Sequence, residues 1–506
     1  MNMTLKNRID WVITLIPFLC IVALCLTFFT DPAGSSAMVD GIRAFLGEEF
    51  GWYYLTLGLG IFLITLYMAF SRFGNIHLGE GKAQYSLFNW GAMMFTAGIA
   101  ADILFYSLCE WMIYANEPHV LAMGSIQDWS GVFALFHWGP IPWAFYMALA
   151  VAFGFMIHVR KRNRQKYSEA CRPLLGNLTD RWAGKLVDLL AVFALIAGTA
   201  TTFSVSAPLL SNAVTAVFGI PDSTALSITI LLVICILYTI CAWFGIDGVS
   251  WMASACIWLF FALLAFVLVA GGMPRYILET GLANIGKVAQ NFIEFSTYTD
   301  PLRETSFPQN WTIFYWAYWM VWCVATPFFI GSISRGRTIR EVVIGGYACG
   351  IGSTWISFII LGNYGLGIQT SGKMDLLAIY AESGLYDTII TMLETLPLSR
   401  FVLILLSLSM IAFYATSFDS IALVASGYSY KELSADEEPD RKLKVFWSIL
   451  LILLPIALLF SESSMANLQS VSIIAAFPIG IVIIMIIAAF FKDASQYLRE
   501  SGEKVR

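Results

Sequence analysis

The sequence predicts an all-α membrane protein with twelve transmembrane helices, and three observations carry that prediction. Of 506 residues, 58% are hydrophobic and only 12% are charged, about half the charge of a soluble globular domain. The apolar residues fall in long unbroken runs, not in the alternating ten-residue segments of a β-barrel. Finally, 23 of the 29 Lys and Arg residues fall in every second connection, a bias that an odd number of spans would scramble. This composition excludes a soluble enzyme, a disordered scaffold and a disulfide-rich secreted domain. A net charge of −5 leaves no basic stripe for nucleic acid.

A bilayer core needs about 20 apolar residues per helix. The first runs are 11–29 and 52–71. Run 11–29 has no small-residue cleavage site before Asp31, so it reads as a span and not as a removed signal. Runs 89–114, 131–158, 187–212, 224–243 and 250–272 follow, then 311–332, 342–363, 400–425, 446–461 and 471–491. With both termini cytoplasmic, the inner segments collect Lys6, Arg8, Arg72, Lys82, the cluster Arg160 to Lys185, Arg335, Arg337 and Arg340. Lys431, Arg441, Lys442, Lys444 and four residues after 491 complete the inner set. Only Arg43, Arg275, Lys287, Arg303, Lys373 and Arg400 lie outside.

Two outer connections carry structure of their own. Between spans seven and eight, Ile285, Val288, Phe292 and Phe295 recur at helical spacing, which predicts an amphipathic helix at the outer interface. The stretch 387–398 suggests another. The chain therefore divides into 1–88 with two leading spans, 89–272, a connector 273–310, 311–491 and a tail 492–506. The nine cysteines contain no CxxC pair, and the four histidines form no cluster. Free thiols and no structural metal follow.

The chain has no Walker A loop, GxSxG, HExxH or GxGxxG motif. Chemistry must therefore sit on polar and aromatic residues at membrane depth. In span eight, Tyr315, Trp319 and Trp322 form one stripe with Tyr318 beside it. Aromatic belts belong at the interfaces, not along three turns of one helix. Span four adds Phe136-His-Trp138-Gly-Pro-Ile-Pro-Trp143-Ala-Phe-Tyr146, where Pro140 and Pro142 must distort the helix. One such cluster would be ordinary helix packing. Two together point to an aromatic box for a quaternary ammonium group, which is drawn to ring faces.

Span three carries Gly98-Ile-Ala-Ala-Asp102, with small residues that permit unwinding or close approach. Asp102 lies near mid-span, where an ionised carboxylate costs several kcal/mol unless paired. It reads as a counter-charge for a cationic substrate, a proton carrier, or a protonated acid bonded to a neighbouring helix. Glu110, nearer the end of the span, reads as structural. Span ten holds Ala415-Thr-Ser-Phe-Asp419-Ser, hard oxygen donors that suit Na⁺, and span five holds Gly198-Thr-Ala-Thr-Thr-Phe-Ser204. Asn89-Trp90 and Asn310-Trp311 open spans three and eight, a faint echo of two five-helix repeats in inverted orientation.

Asn310-Trp-Thr-Ile-Phe-Tyr-Trp-Ala-Tyr-Trp319 and Ile333-Ser-Arg-Gly-Arg-Thr-Ile-Arg-Glu341 resemble the signature of the betaine/carnitine/choline transporter family. Met93-Met-Phe95 with Gly98, and Phe136 to Trp143, match its other motifs. The resemblance implies a LeuT-like fold of inverted five-helix repeats with two extra N-terminal helices, a homotrimer, and a prokaryotic inner membrane. It implies a secondary transporter, not an enzyme, for choline, glycine betaine or carnitine. By the same resemblance, substrate binds at Trp138, Trp143, Tyr146 and Trp319, with Tyr318 and Trp322 alongside. Tyr318 stands where relatives commonly have Trp.

The resemblance also implies a sodium site at Thr416 and Ser417 with backbone carbonyls near Thr96 and Ile99. A second family site is half matched, since Thr199 is present but Leu195 replaces its hydroxyl partner. No organic cofactor is implied, only a coupling ion, Na⁺ or H⁺. Sodium-independent exchangers of the family carry an arginine in span seven; the aligned position is about Cys256, which favours ion-coupled uptake over carnitine/butyrobetaine-type exchange. Choline carriers have Asp where Asp102 stands, which places choline ahead of betaine and carnitine. The ends are short beside those of osmoregulated relatives, an expectation of supply for metabolism. A membrane-embedded enzyme acting on choline-type head groups would need a catalytic cluster at one membrane face.

Overall fold

The computed structural model describes residues 8–502 except 163, 245, 434–436 and 461–464. Lys6, Lys504 and Arg506 of the charge count lie outside the described residues, as do the extremes of segments 1–88 and 492–506. The described chain is almost entirely helical, and its β pairing is confined to two isolated bridges, Ile9 with Tyr430 and His77 with Thr338. Among the described residues, eight helices are long and apolar enough to cross a membrane, or up to eleven spans if each of three bent pairs counts as one. Among the described residues, each apolar run read from the sequence lies on one helix or on a broken helix pair, the sixth on Thr224–Phe244.

Helices outrun the membrane at several ends. The second span lies within Pro32–Phe70, 39 residues, and the fifth within Trp182–Phe218, 37 residues. At 1.5 Å per residue each is about 55 Å long, against a hydrocarbon core of about 30 Å. Asp40, Arg43, Glu48 and Glu49 thus mark where the membrane ends, not where the helix does. Asp31 starts the longer helix by accepting from the Gly34 amide at 3.0 Å.

Three breaks position the functional cavity. Span three splits into Leu87–Thr96 and Ala101–Ala115, bent by 65°. Span eight, read as one continuous helix, splits into Pro308–Trp322 and Thr326–Ile333, bent by 55°. The cause is Pro327, which has no N–H for the Cys323 carbonyl and whose ring clashes with it. These bends recur at the first span of each predicted five-helix repeat. Span four pauses at Trp138-Gly139 and resumes with Pro140 at its first position, where a missing N–H costs nothing. As Ile126–Val159 it is 94% buried over its most apolar window, which makes it the central helix.

The predicted connector is a helix, Pro274–Thr297, turned 112° from span seven. Val288 and Phe295 are buried and Ile285 and Phe292 half-buried. Phe292 packs on Phe62 and Phe295 on Phe133, with ring centres 4.9 and 4.6 Å apart. Lys287 reaches Asp128 at 2.6 Å. Within the stretch 387–398, helix Leu385–Glu394 buries Ile389, Ile390 and Leu393. At the opposite face the segment 333–341 pairs with the loop before span three: Leu78 N–H donates to Arg337 O and Gly336 N–H to Leu78 O. Gly336 has φ +81°, and a Cβ there would lie 2.6 Å from Lys82 O. Arg337 lies over the Trp90 ring at 4.2 Å, and Thr338 with Glu341 forms a capping box for span nine.

Candidate functional site

Between the two broken spans lies a cavity of about 500 Å³. Asp102, Gly98, Ile99 and Ala100 form one wall, and Tyr318, Trp319 and Trp322 the opposite one. Trp138 and Tyr146 come from span four, and Thr416 and Ser417 from span ten. Trp319 is the hub of the rings, 5.6 Å from Trp138, 5.7 Å from Trp143 and 4.9 Å from Tyr146. Trp143 alone among the predicted box residues does not line the cavity. It stands behind, where a Cβ on Gly98 or Gly350 would approach its ring to 2.5 or 2.3 Å. The glycines exist to admit that indole.

Asp102 occupies the first turn of the helix after the span-three break, where the helix dipole stabilises negative charge. Its side chain is buried. Tyr318 donates to Oδ2 at 2.5 Å, while Oδ1 has no partner among the described residues. Because the Tyr318 proton is committed there, the Thr202 hydroxyl of span five donates to the Tyr318 oxygen. One carboxylate oxygen is thus held and the other is left for a ligand.

The unwound turn supplies further oxygens. Among the described residues no backbone amide donates to the carbonyls of Ala97, Gly98 or Ile99. Thr96 lines the same cavity, its hydroxyl bonded to Met93 O at 3.0 Å. Thr416 Oγ1 bonds back to Ala412 O and Phe413 O, both at 3.1 Å, so its proton is directed at the backbone. Cys256 Sγ lies 3.8 Å from Thr416 Oγ1. Neutral hydroxyls and orphaned carbonyls form a donor set that fits a hard monovalent cation. Thr199 is not part of it: its hydroxyl bonds Leu195 O at 2.7 Å, away from the cavity.

Sequence reasoning missed a buried cluster about two to three turns beyond Asp102. Glu110 accepts from Trp138 Nε1 at 2.9 Å and from the Tyr114 hydroxyl, which also meets His137 Nδ1 at 2.6 Å. All four residues are buried. The signal was present: Asp102, Tyr106, Glu110 and Tyr114 repeat every four residues and share a helix face.

Broken helices that release backbone oxygens into a cavity at membrane depth are the arrangement in which secondary transporters hold substrate and coupling ions. Comparison with known proteins gives the family. The family model described as BCCT, betaine/carnitine/choline family transporter, matches residues 12–499. The chain is 30% identical over 483 residues to the glycine betaine transporter OpuD of Bacillus subtilis, covering 93% of this chain and 91% of that one. It is 29% identical over 438 residues to the uncharacterized transporter YeaV of Escherichia coli, covering 86% and 91%. A carnitine transporter of Acinetobacter baumannii is 27% identical over 426 residues, covering 84% and 78%. A solved Na⁺-coupled sialic acid symporter aligns with a TM-score of 0.42 at 14% identity, over 89% of this chain and 86% of that chain. The chain belongs to the betaine/carnitine/choline transporter family and is a secondary transporter, not an enzyme.

Proposed function

We propose that this transporter imports a quaternary ammonium compound by alternating access, with choline as first choice and glycine betaine or carnitine as the others. The observation that carries this reading is the meeting in one cavity of Trp138, Tyr146, Trp319 and Trp322 with the carboxylate of Asp102. Ring faces attract a trimethylammonium head that offers no hydrogen bond. The unpartnered Oδ1 of Asp102 attracts a cation bearing a hydroxyl and repels the carboxylate of betaine or carnitine. Two of the named relatives are a glycine betaine transporter and a carnitine transporter, which supports the chemical class.

Coupling in this reading is to Na⁺ at Thr416, Ser417 and the carbonyls near Thr96 and Ile99, or to H⁺ through Asp102. A bound cation would supply charge that ties closure of the span-three break to span ten. The neutral Cys256 beside Thr416 leaves room for a mobile ion where a fixed cationic side chain would replace it. The protein works in a prokaryotic plasma membrane, as a homotrimer, with both termini cytoplasmic. Proteoliposome uptake of labelled choline, betaine and carnitine under separate Na⁺ and H⁺ gradients tests the reading. Saturable, gradient-driven uptake of at least one is expected; no uptake of any of the three contradicts it.

A further inference from the structure

The buried cluster beyond the cavity has a complete proton order. Thr312 Oγ1 lies 3.0 Å from His137 Nε2, and Tyr114 OH lies 2.6 Å from His137 Nδ1. The Trp138 indole N–H can only donate, and it donates to Glu110 Oε2, while the Tyr114 hydroxyl donates to Oε1. Tyr114 then accepts from His137 Nδ1–H, and His137 Nε2 accepts from the Thr312 hydroxyl. Every donor has one acceptor, and the chain ends on the Trp138 indole. Glu110 and His137 are fully buried, so no solvent competes for these bonds.

The ring held in this way is a wall of the cavity. Trp138 meets Trp319 edge-on at 5.6 Å and Tyr106 at 5.6 Å. Its own carbonyl accepts from Thr354 Oγ1 at 2.7 Å, fixing the backbone at the Gly139 break. The far end of the chain, Thr312, lies in a π-helical turn, Pro308–Thr312, at the start of span eight. Such turns are often found at functional sites.

We propose that Glu110 is a positioning residue for substrate binding: it aims the Trp138 ring into the cavity and, through Tyr114 and His137, ties that aim to the start of span eight. Glu110 itself does not line the cavity. The inference rests on the reading of the cavity as the substrate site. A buried hydrogen bond that fixes the ring is worth up to about a tenfold change in affinity.

The test is uptake kinetics of the full-length chain in proteoliposomes, using whichever of choline, betaine and carnitine the unaltered protein carries. Glu110→Gln is expected to raise the half-saturating concentration about tenfold with the maximal rate within about twofold. Trp138→Phe keeps a ring and removes the N–H; in that background Glu110→Gln should add less than about twofold. A tenfold effect that persists with Trp138→Phe, or a loss confined to the maximal rate, overturns the proposal. Tyr114→Phe, a gentler cut of the same chain, must show the same dependence on Trp138 and serves if Glu110→Gln fails to fold. Trp138→Ala separates the two readings. If it leaves half-saturation unchanged, the cavity is not the substrate site; if it raises it while the double-variant cycle is additive, only the positioning role falls.

Discussion

The two ends of the cavity are built on opposite principles. Toward the connector helix, Tyr106, Trp138 and Tyr315 pack in a triangle with centres 5.6, 5.6 and 5.8 Å apart. All three are nearly inaccessible, and His137 stacks on Tyr315 at 4.7 Å. Toward the arginine-rich face the lining includes Gln165, Phe329, Ser420 and Leu423, all exposed. There the cavity shares Gln165, Phe328, Leu423 and Val424 with a second cavity of about 200 Å³, bordered by Arg164, Lys166 and Glu438. One end is sealed by rings and ordered hydrogen bonds, and the other is open. The open end lies on the side of the arginine-rich loops, and in the proposed import cycle the sealed end is the one that would have to loosen.

The sharpest way to break this contrast is at the hub ring. Trp319→Ala should reduce uptake efficiency roughly 100-fold, because it removes both a cation–π face and the surface on which three other rings rest. Uptake assays that leave the variant intact would remove the aromatic box from the account. Asp102→Gly comes next: preference should move about tenfold from choline toward betaine as one carboxylate repulsion disappears. Competition between the two labelled substrates reads this directly, and unchanged selectivity would refute the counter-charge role.

At the open end, Thr416→Ala should raise the Na⁺ concentration for half-maximal uptake about tenfold if Na⁺ is the coupling ion. An unchanged Na⁺ titration would move the ion elsewhere. The smallest effect belongs to the arginine-rich loop, where hydrogen bonds from Arg172 and Arg164 hold the Asp180 carboxylate at about 2. Since this value is depressed, the pairing stabilises the loop above the ordinary carboxylate value and loses that contribution as pH falls toward about 2. Asp180 is exposed, so Asp180→Asn should cost under about 1 kcal/mol, read as a small drop in melting temperature at pH 7 that vanishes in acid.

Much of this was legible in the chain. Long apolar runs and alternating basic loops gave the spans, and the tryptophans of spans four and eight gave the rings. Asp102 stood out because a mid-span acid is rare. The bend at Pro327 was equally available but was overlooked inside an apolar run. The Glu110 chain was harder to see, because its residues come from spans three, four and eight and meet only after folding. Trp143 shows the converse: its motif is intact, yet folding sets it behind the cavity against Gly98 and Gly350. Charges marked the membrane edge well and the helix ends poorly, as Pro32–Phe70 demonstrates.

The proposed function requires a quaternary ammonium head to sit among these rings and to be moved by an ion gradient. Its most direct measurement is uptake of labelled choline into proteoliposomes, with an imposed Na⁺ or H⁺ gradient, by the unaltered chain and by Trp319→Ala. Saturable accumulation that collapses when the gradient is dissipated and is lost in the variant is expected. Accumulation that ignores both gradients, or survives in Trp319→Ala at full rate, would contradict it.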